Sequence, residues 1–349
     1  MKVMHVLNSR EFTGAEKVVC QIIHAFAGTD VEMVYCSPDS DNIRMMLEQQ
    51  GVTFLPVEKL SPTELKRVIQ EQRPDLIHAH DMRASFISAL CCGKIPVISH
   101  IHNNAYDARG LSLKSVAYLL AGMRAKHILW VSGSSYEGYL FHSLFAKKSS
   151  VLYNVIDEKE IFQKLSEDGN SYDFDMIFVG RLTYQKDPQR LIRLCARLKK
   201  HKPDLKAAIV GAGELEEEAK GLCAELKLEE TVQFLGFQPN PIKMIHDSKA
   251  MILTSRWEGT PMCALEAMAL GTPVVSTPSD VMKDLIDANV NGCLGETDEE
   301  LEESLLRIFR DDDFREKLSE NAVKKFREIN DAEGYQQAIA QCYQWGRQK

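Results

Sequence analysis

The stretch 250-AMILTSRWEGTPMCALEAMALGTPVVST-277 decides the fold. It reads as a short apolar strand over Ala250–Ser255, a loop carrying Glu258, a helix over about Pro261–Leu270 and a second strand over Pro273–Thr277. Thr260 is a good N-cap, Pro261 suits the first helical position, and Gly271 followed by Pro273 ends the helix. Within Met262–Leu270 all residues but Glu266 are apolar, which predicts a helix buried nearly all round. The helical neighbours of Glu266 (Met262, Ala269 and Leu270) are not basic. Its carboxylate is costly there unless a distant cation or a hydroxyl-bearing ligand satisfies it. Glu258 lies in the loop at the carboxyl end of the strand, where open α/β sheets bind ligands. Between the two acids lie the N–H groups of a helix start, suited to an anion such as phosphate. The plain alternative is one structural ion pair and one loop acid.

Outward from this stretch, short β-branched runs alternate with longer helical patterns. Strands are expected over 3–7, 31–36, 53–57, 76–79, 97–101, 127–131 and 151–153, with helices over 15–26, 42–50, 62–72, 83–91, 112–123 and 134–144. The segment 158–175 is polar and carries Gly, Asn and Ser, as a linker does. Strands then restart at 176–180, 207–210, 232–235, 251–254 and 274–276, before a helical tail over 299–348. The expected fold is α/β: two Rossmann-like, doubly wound parallel-sheet domains facing across a cleft. The expected boundaries are 1–165 and 170–330, with a C-terminal helix over about 331–349 packing back on the first domain.

With 349 residues there is material for two cores, and 44% hydrophobic with 26% charged residues describes a soluble globular protein. The net charge of −8 disfavours non-specific nucleic-acid binding. Nine cysteines lie mostly in apolar runs without C-x-x-C spacing, as small core residues of a reducing cytosol. The start turns polar too soon for a signal peptide, and no apolar run approaches a membrane span. The expected location is cytoplasmic. The basic segment 103–127, with Tyr106, Tyr118 and several leucines, is a candidate for acceptor binding and for contact with the inner face of a membrane. The all-apolar run Val116–Met123 favours a buried helix over that contact.

Other loops at strand ends carry chemistry. Asn8–Glu16 contains Gly14, and Gly211-Ala212-Gly213 follows a strand, where a tight turn is its plain reading. The loop 179-VGRLTYQKDP-188 places Arg181 and Lys186 at the ligand edge. Loop cations are usually just solvated, but two of them beside the helix start between Glu258 and Glu266 suit a leaving diphosphate. Histidines fall in two H-x-H pairs, His78/His80 and His100/His102. Residues i and i+2 of a strand share a face, so a metal site comes to mind. With only Asp81 nearby and no matching cysteine spacing, no metal is expected, and His78 and His100 read as hydrogen-bonded core histidines.

These motifs resemble those of retaining glycosyltransferases of the family-four type, which have GT-B architecture. The resemblance rests on Ser255, Glu258, Gly259, Glu266, Ala267, Ala269, Gly271, Pro273, Val274 and Val275, and on Gly180, Arg181, Leu182 and Lys186. Pro74, Asp75, His78 and His80, then Pro96, Val97 and His102, match the first half. Two positions depart from the family: Thr13 replaces the first glycine of a G-G-A-E turn, and Asp187 replaces the glycine after the lysine. The resemblance implies a metal-independent, retaining transferase without cofactor. It would move a sugar from a nucleotide-sugar, commonly a UDP-sugar, to a glycan or lipid-linked acceptor in cell-surface polysaccharide or glycolipid synthesis. It implies that Gly14, Arg181, Lys186, Gly211, Gly213 and the amides of Met262, Cys263 and Ala264 hold the donor, with Glu266 on the ribose. Glu258 would hold the sugar hydroxyls, and His102 would reach the reaction centre. The alternatives are a nucleotide-sugar epimerase of the same fold and a non-catalytic nucleotide-binding partner of a transferase.

Overall fold

The structure is a computed structural model that describes residues 1–103 and 106–347. Asn104 and Ala105, at the start of the candidate acceptor segment, lie outside the described residues, as do the last two residues of the expected C-terminal helix.

The chain divides into two units, Ile156–Asp331 and Met1–Val155 with the stretch from Ala332 onward. In the first-half unit, β1 (Lys2–Val6), β2 (Glu32–Pro38), β3 (Phe54–Val57), β4 (Leu76–Ala79), β5 (Val97–Ile101), β6 (His127–Trp130) and β7 (Ser149–Val151) form one parallel sheet. Its order is β3-β2-β1-β4-β5-β6-β7. In the second, β8 (Met176–Val179), β9 (Ala207–Val210), β10 (Val232–Gly236), β11 (Ala250–Leu253), β12 (Val274–Ser276) and β13 (Gly292–Leu294) form another, ordered β10-β9-β8-β11-β12-β13. Both are doubly wound. The strand order reverses beside β1 in the first sheet and beside β8 in the second, and at such points the loops splay apart and leave room for ligand.

Alternation along the strands sorts the side chains. In the first sheet Met4, Val6, Ile77, Ala79 and Val97 join one apolar cluster, while His5, His78 and His100 point to the opposite face. The helix Ala332–Arg347 packs against β5 and β6, and its Tyr343 hydroxyl lies 2.9 Å from His78 Nδ1. In the second unit Phe178, Leu191, Leu194, Ile209 and Ile252 are among the residues of one large apolar cluster.

Several expectations are corrected. The helix expected over 134–144 is instead a short helix, Gly133–Glu137, and a 3-10 segment, His142–Lys148. Between them Tyr139 turns inward, 1% exposed, and its hydroxyl donates to the Ser115 carbonyl at 2.9 Å. The expected linker begins with the helix Glu158–Glu167, because Asp157 accepts from the N–H of Lys159 and Ile161 has a buried seat. Strand β13 went unforeseen, because Gly292-Cys293-Leu294 carries no β-branched residue. The run Val116–Met123, expected to be buried all round, belongs to the helix Leu113–Arg124 and turns Val116, Leu120 and Met123 outward.

Candidate functional site

Two loops meet at the reversal point of the second sheet. One follows β8 and carries Arg181 and Lys186; the other follows β11 and carries Glu258. The Thr254 hydroxyl donates to the Lys186 carbonyl (3.0 Å), Arg256 N–H to the Gln185 carbonyl (2.8 Å) and the Gln185 side-chain amide to the Trp257 carbonyl (2.9 Å). The Arg256 guanidinium reaches Asp187 at 2.6 Å and lies 4.3 Å over the Tyr184 ring. The two loops therefore behave as one platform.

On it, Lys186 Nζ lies 2.6 Å from Glu258 Oε1, which also accepts from the Ser255 hydroxyl at 2.5 Å. The pair is nearly dry, with side chains 13% and 4% exposed. Burial presses the Lys186 ammonium downward, but Glu258 and Cys263 beside it together outweigh burial and the net shift is upward. Arg181 is exposed and, among the described residues, in no ion pair.

The helix after Glu258 runs from Met262 to Leu270, with Pro261 rather than Thr260 as its N-cap. Proline has no side-chain acceptor, so the N-cap residue makes no side-chain bond to the first turn, where Met262, Cys263 and Ala264 lie. Glu266, 4% exposed, sits further along the same helix, which Gly271 ends in the left-handed conformation.

Gly211 and Gly213 back the cation loop. Gly211 has φ +136, and a Cβ there would stand 1.9 Å from the Gly180 carbonyl oxygen; at Gly213 it would meet the Leu182 oxygen at 2.4 Å. Leu182 N–H donates to the Ala212 carbonyl (2.9 Å), so backbone lies on backbone. These contacts seat the Arg181 loop, the tight-turn reading of this motif.

In the first unit Gly14 opens the helix Gly14–Ala25, where Glu16 accepts from the Thr13 amide (2.9 Å) and hydroxyl (2.7 Å). At the reversal point of that sheet five histidines gather. His5 Nδ1 lies 2.8 Å from His80 Nε2, and His80 Nδ1 lies 2.9 Å from His102 Nε2. Burial pushes His5 and His102 down to about 3. His78, His80 and His100 also lie well below the ordinary histidine value, first by burial and then by their histidine neighbours. The sequence reading missed His5; its signal is a histidine on the strand that parallel order sets beside His78. His78 is a hydrogen-bonded core histidine as expected, but His100 is not: it is buried and neither ring nitrogen has a hydrogen-bond partner among the described residues.

Along the helix Leu113–Arg124 an apolar stripe faces out, with Leu113 93%, Leu120 51% and Met123 66% exposed. Leu111 and Leu144 extend it, and Lys114, Arg124, Lys126 and Lys147 are exposed around it.

Residues 157–325 match the family described as Glycosyl transferases group 1, and residues 12–160 match Glycosyltransferase Family 4. Two uncharacterized glycosyltransferases of Methanocaldococcus jannaschii are each 30% identical, over 68% and 72% of this chain. The chain belongs to the group 1, family 4 glycosyltransferases. The matches span 64% and 70% of those two relatives. An N-acetylgalactosaminyltransferase of Campylobacter jejuni, named for a diphospho-undecaprenol-linked acceptor, is 36% identical over 52% of this chain, which spans about half of it (49%). Among solved structures, Anabaena HepE in complex with UDP-glucose superposes with a TM-score of 0.86 over 99% of both chains at 22% identity. The shared fold is two parallel-sheet α/β domains of GT-B type.

In this glycosyltransferase-family chain the departure at Asp187 has a structural reason. Asp187 has φ 51 and ψ 60, the left-handed region that glycine favours and aspartate tolerates. Its carboxylate caps the helix Pro188–His201 by accepting from Arg190 N–H and pairs with Arg256. Sequence reading overlooked Arg256 and Gln185; nothing in a local pattern marks which loop a long polar side chain will clasp.

Proposed function

We propose that the protein transfers a sugar from a nucleotide-sugar, a UDP-sugar in the first instance, to a lipid-linked or glycan acceptor, with retention and without a metal ion. One observation carries this reading: the Lys186–Glu258 pair precedes a helix start whose N-cap is a proline, with a second buried acid, Glu266, behind it. The start of the helix at Met262 and the cations Arg181 and Lys186 supply the donors a departing diphosphate needs, while the Ala264 amide already donates to the Pro261 carbonyl at 3.0 Å. Gly14 lets backbone come close to the donor, whereas Gly211 and Gly213 contribute by seating the Arg181 loop. Glu266 accepts from ribose hydroxyls. Glu258, held by Ser255 and Lys186, accepts from sugar hydroxyls, and His102, neutral through burial, serves in turnover. Retention rests on the motif resemblance. The uridine diphosphate donor is supported by the UDP-glucose in the Anabaena structure.

The acceptor side rests on the first unit. The Campylobacter relative's name points to a polyprenyl-diphosphate-linked glycan, the kind of acceptor used in cell-surface polysaccharide assembly. The apolar stripe with its basic border suits an anionic bilayer carrying such an acceptor, on the inner face of the membrane. No helix among the described residues is long and apolar enough to cross a membrane.

The experiment is a panel of nucleotide-sugars in excess EDTA, scored for nucleoside-diphosphate release with and without lipid-linked acceptor. Acceptor-dependent release from a UDP-sugar in chelator is the expected result. Loss of release that Mn²⁺ restores overturns metal independence; an altered sugar from donor alone overturns transfer in favour of epimerisation.

A further inference from the structure

We propose that His80, His100 and His102 form a binding site for a transition-metal ion of the zinc or copper class, separate from any diphosphate-bound cation. In the first sheet β4 and β5 run in parallel register with His78 opposite Ile98, so the H-x-H pairs are staggered along one face. His100 and His102 stand with ring centroids 4.1 Å apart, His80 and His102 5.1 Å apart. One ring nitrogen from each of the three lies within 4.8 Å of the others. Nitrogens bound to tetrahedral zinc at about 2.0–2.1 Å sit about 3.3 Å from one another, so small rotations of the rings close the set.

The hydrogen-bond accounting favours a missing ligand. Both nitrogens of His100 and Nδ1 of His102 have no hydrogen-bond partner among the described residues, and His100 is fully buried (0% exposed). A buried imidazole left so is uncommon, since each unmade bond costs about 1–3 kcal/mol. The tautomers also fit. If His80 Nε2–H donates to His5 Nδ1 at 2.8 Å, the His80 Nδ1 lone pair faces His102 Nε2 at 2.9 Å, and a metal would take the place of the proton those two share, with His5 orienting His80 from outside the ligand set. His5 is steadied in turn by Met33 Sδ at 3.4 Å. Asp81 is not a rival ligand: its carboxylate accepts from Ala84 and Asn8 N–H. The second possible set, His5, His78 and His80, is buried throughout, whereas the His102 residue is partly exposed.

Three neutral imidazoles without a carboxylate select borderline metals over Mg²⁺, Ca²⁺ or Mn²⁺, which prefer oxygen. Taken with the reading of His102 as a residue of turnover, a bound ion would withdraw it and inhibit. The ion is then a brake, and metal-free turnover and metal binding are compatible.

The test uses the full chain, stripped with chelator and dialysed. Zinc chloride is titrated by calorimetry and cobalt chloride by visible absorption. Expected are one Zn²⁺ per chain with micromolar or tighter affinity, no comparable Mg²⁺ binding, and a cobalt spectrum without a thiolate charge-transfer band. His100→Ala and His102→Ala should each weaken zinc by at least about tenfold, as loss of a supporting ligand does. No zinc binding, a thiolate band, or undiminished affinity in both variants overturns the site. Should His100→Ala not fold, X-ray absorption of the wild-type zinc complex decides: three imidazoles support the site, and fewer than three refute it. Donor turnover in chelator is a separate measurement, so failure of the metal site and failure of the glycosyl-transfer reading are told apart.

Discussion

Glu258→Gln separates the electrostatic role of the Lys186–Glu258 pair from its shape. Glutamine keeps the volume and an oxygen for both the Lys186 ammonium (2.6 Å) and the Ser255 hydroxyl (2.5 Å), but removes the charge. The pair is 13% and 4% exposed, so water does little to replace what is lost. Stranding a buried charge outright costs about 3–5 kcal/mol. Because the oxygen stays, the loss shrinks toward the difference between a charged and a neutral acceptor, about 1–2 kcal/mol. For a domain of this size that lowers Tm by roughly 2–8 °C. Binding should move the other way. A carboxylate beside Lys186 repels diphosphate, so UDP affinity holds or rises on its removal. Turnover of the UDP-sugar loses a charged acceptor for sugar hydroxyls, about 1.5–3 kcal/mol, or roughly tenfold to a hundredfold in kcat/KM. Calorimetry with UDP, steady-state kinetics with the donor and a melting double-mutant cycle with Lys186→Met measure all three. The reasoning is refuted if Glu258→Gln weakens UDP as much as Lys186→Met does, or if the two melting shifts simply add.

Four further outcomes are expected. Arg181→Ala and Lys186→Ala should each weaken UDP by about 1.5–3 kcal/mol and uridine far less; equal losses for both ligands in calorimetry would remove the diphosphate clamp. His102→Ala should lower kcat while leaving the Kd for UDP within about twofold, and a collapse of UDP binding would contradict its assignment. Leu113→Glu with Leu120→Glu, both on the exposed stripe, should leave Tm unchanged and weaken sedimentation with anionic vesicles; unaltered sedimentation counts against the membrane face. In chelator, acid should destabilise the first unit early. The unfolded chain takes protons below about 6.5, whereas His5 and His102 refuse them until about 3. Stability is therefore full above that window and falls as pH drops through it, by about 1.4 kcal/mol per pH unit for each such histidine. A flat urea midpoint between pH 6.5 and 4.5 would refute this.

What the sequence alone determined is local. β-branched runs between caps and glycines mark twelve of the strands within two residues at either end, because a period of two and a turn need only near neighbours. Glu258, Glu266, Arg181 and Lys186 were legible for the same reason, each lying at a fixed offset from a strand end or helix start. Tertiary structure decided which of them meet. Lys186 and Glu258 are 72 residues apart, and their ion pair depends on β8 and β11 being neighbours at the point where the strand order reverses. His5 joins His80 across 75 residues only because β1 lies beside β4, and His100, on a buried face, has no hydrogen-bond partner among the described residues. Burial likewise settled which side of the helix Leu113–Arg124 stays dry: Tyr118 and Ala121 face the core, so the apolar Leu113, Leu120 and Met123 are left on the surface. A run of apolar letters carries no information about how many neighbours will arrive to cover it, and only the packed chain supplies that number.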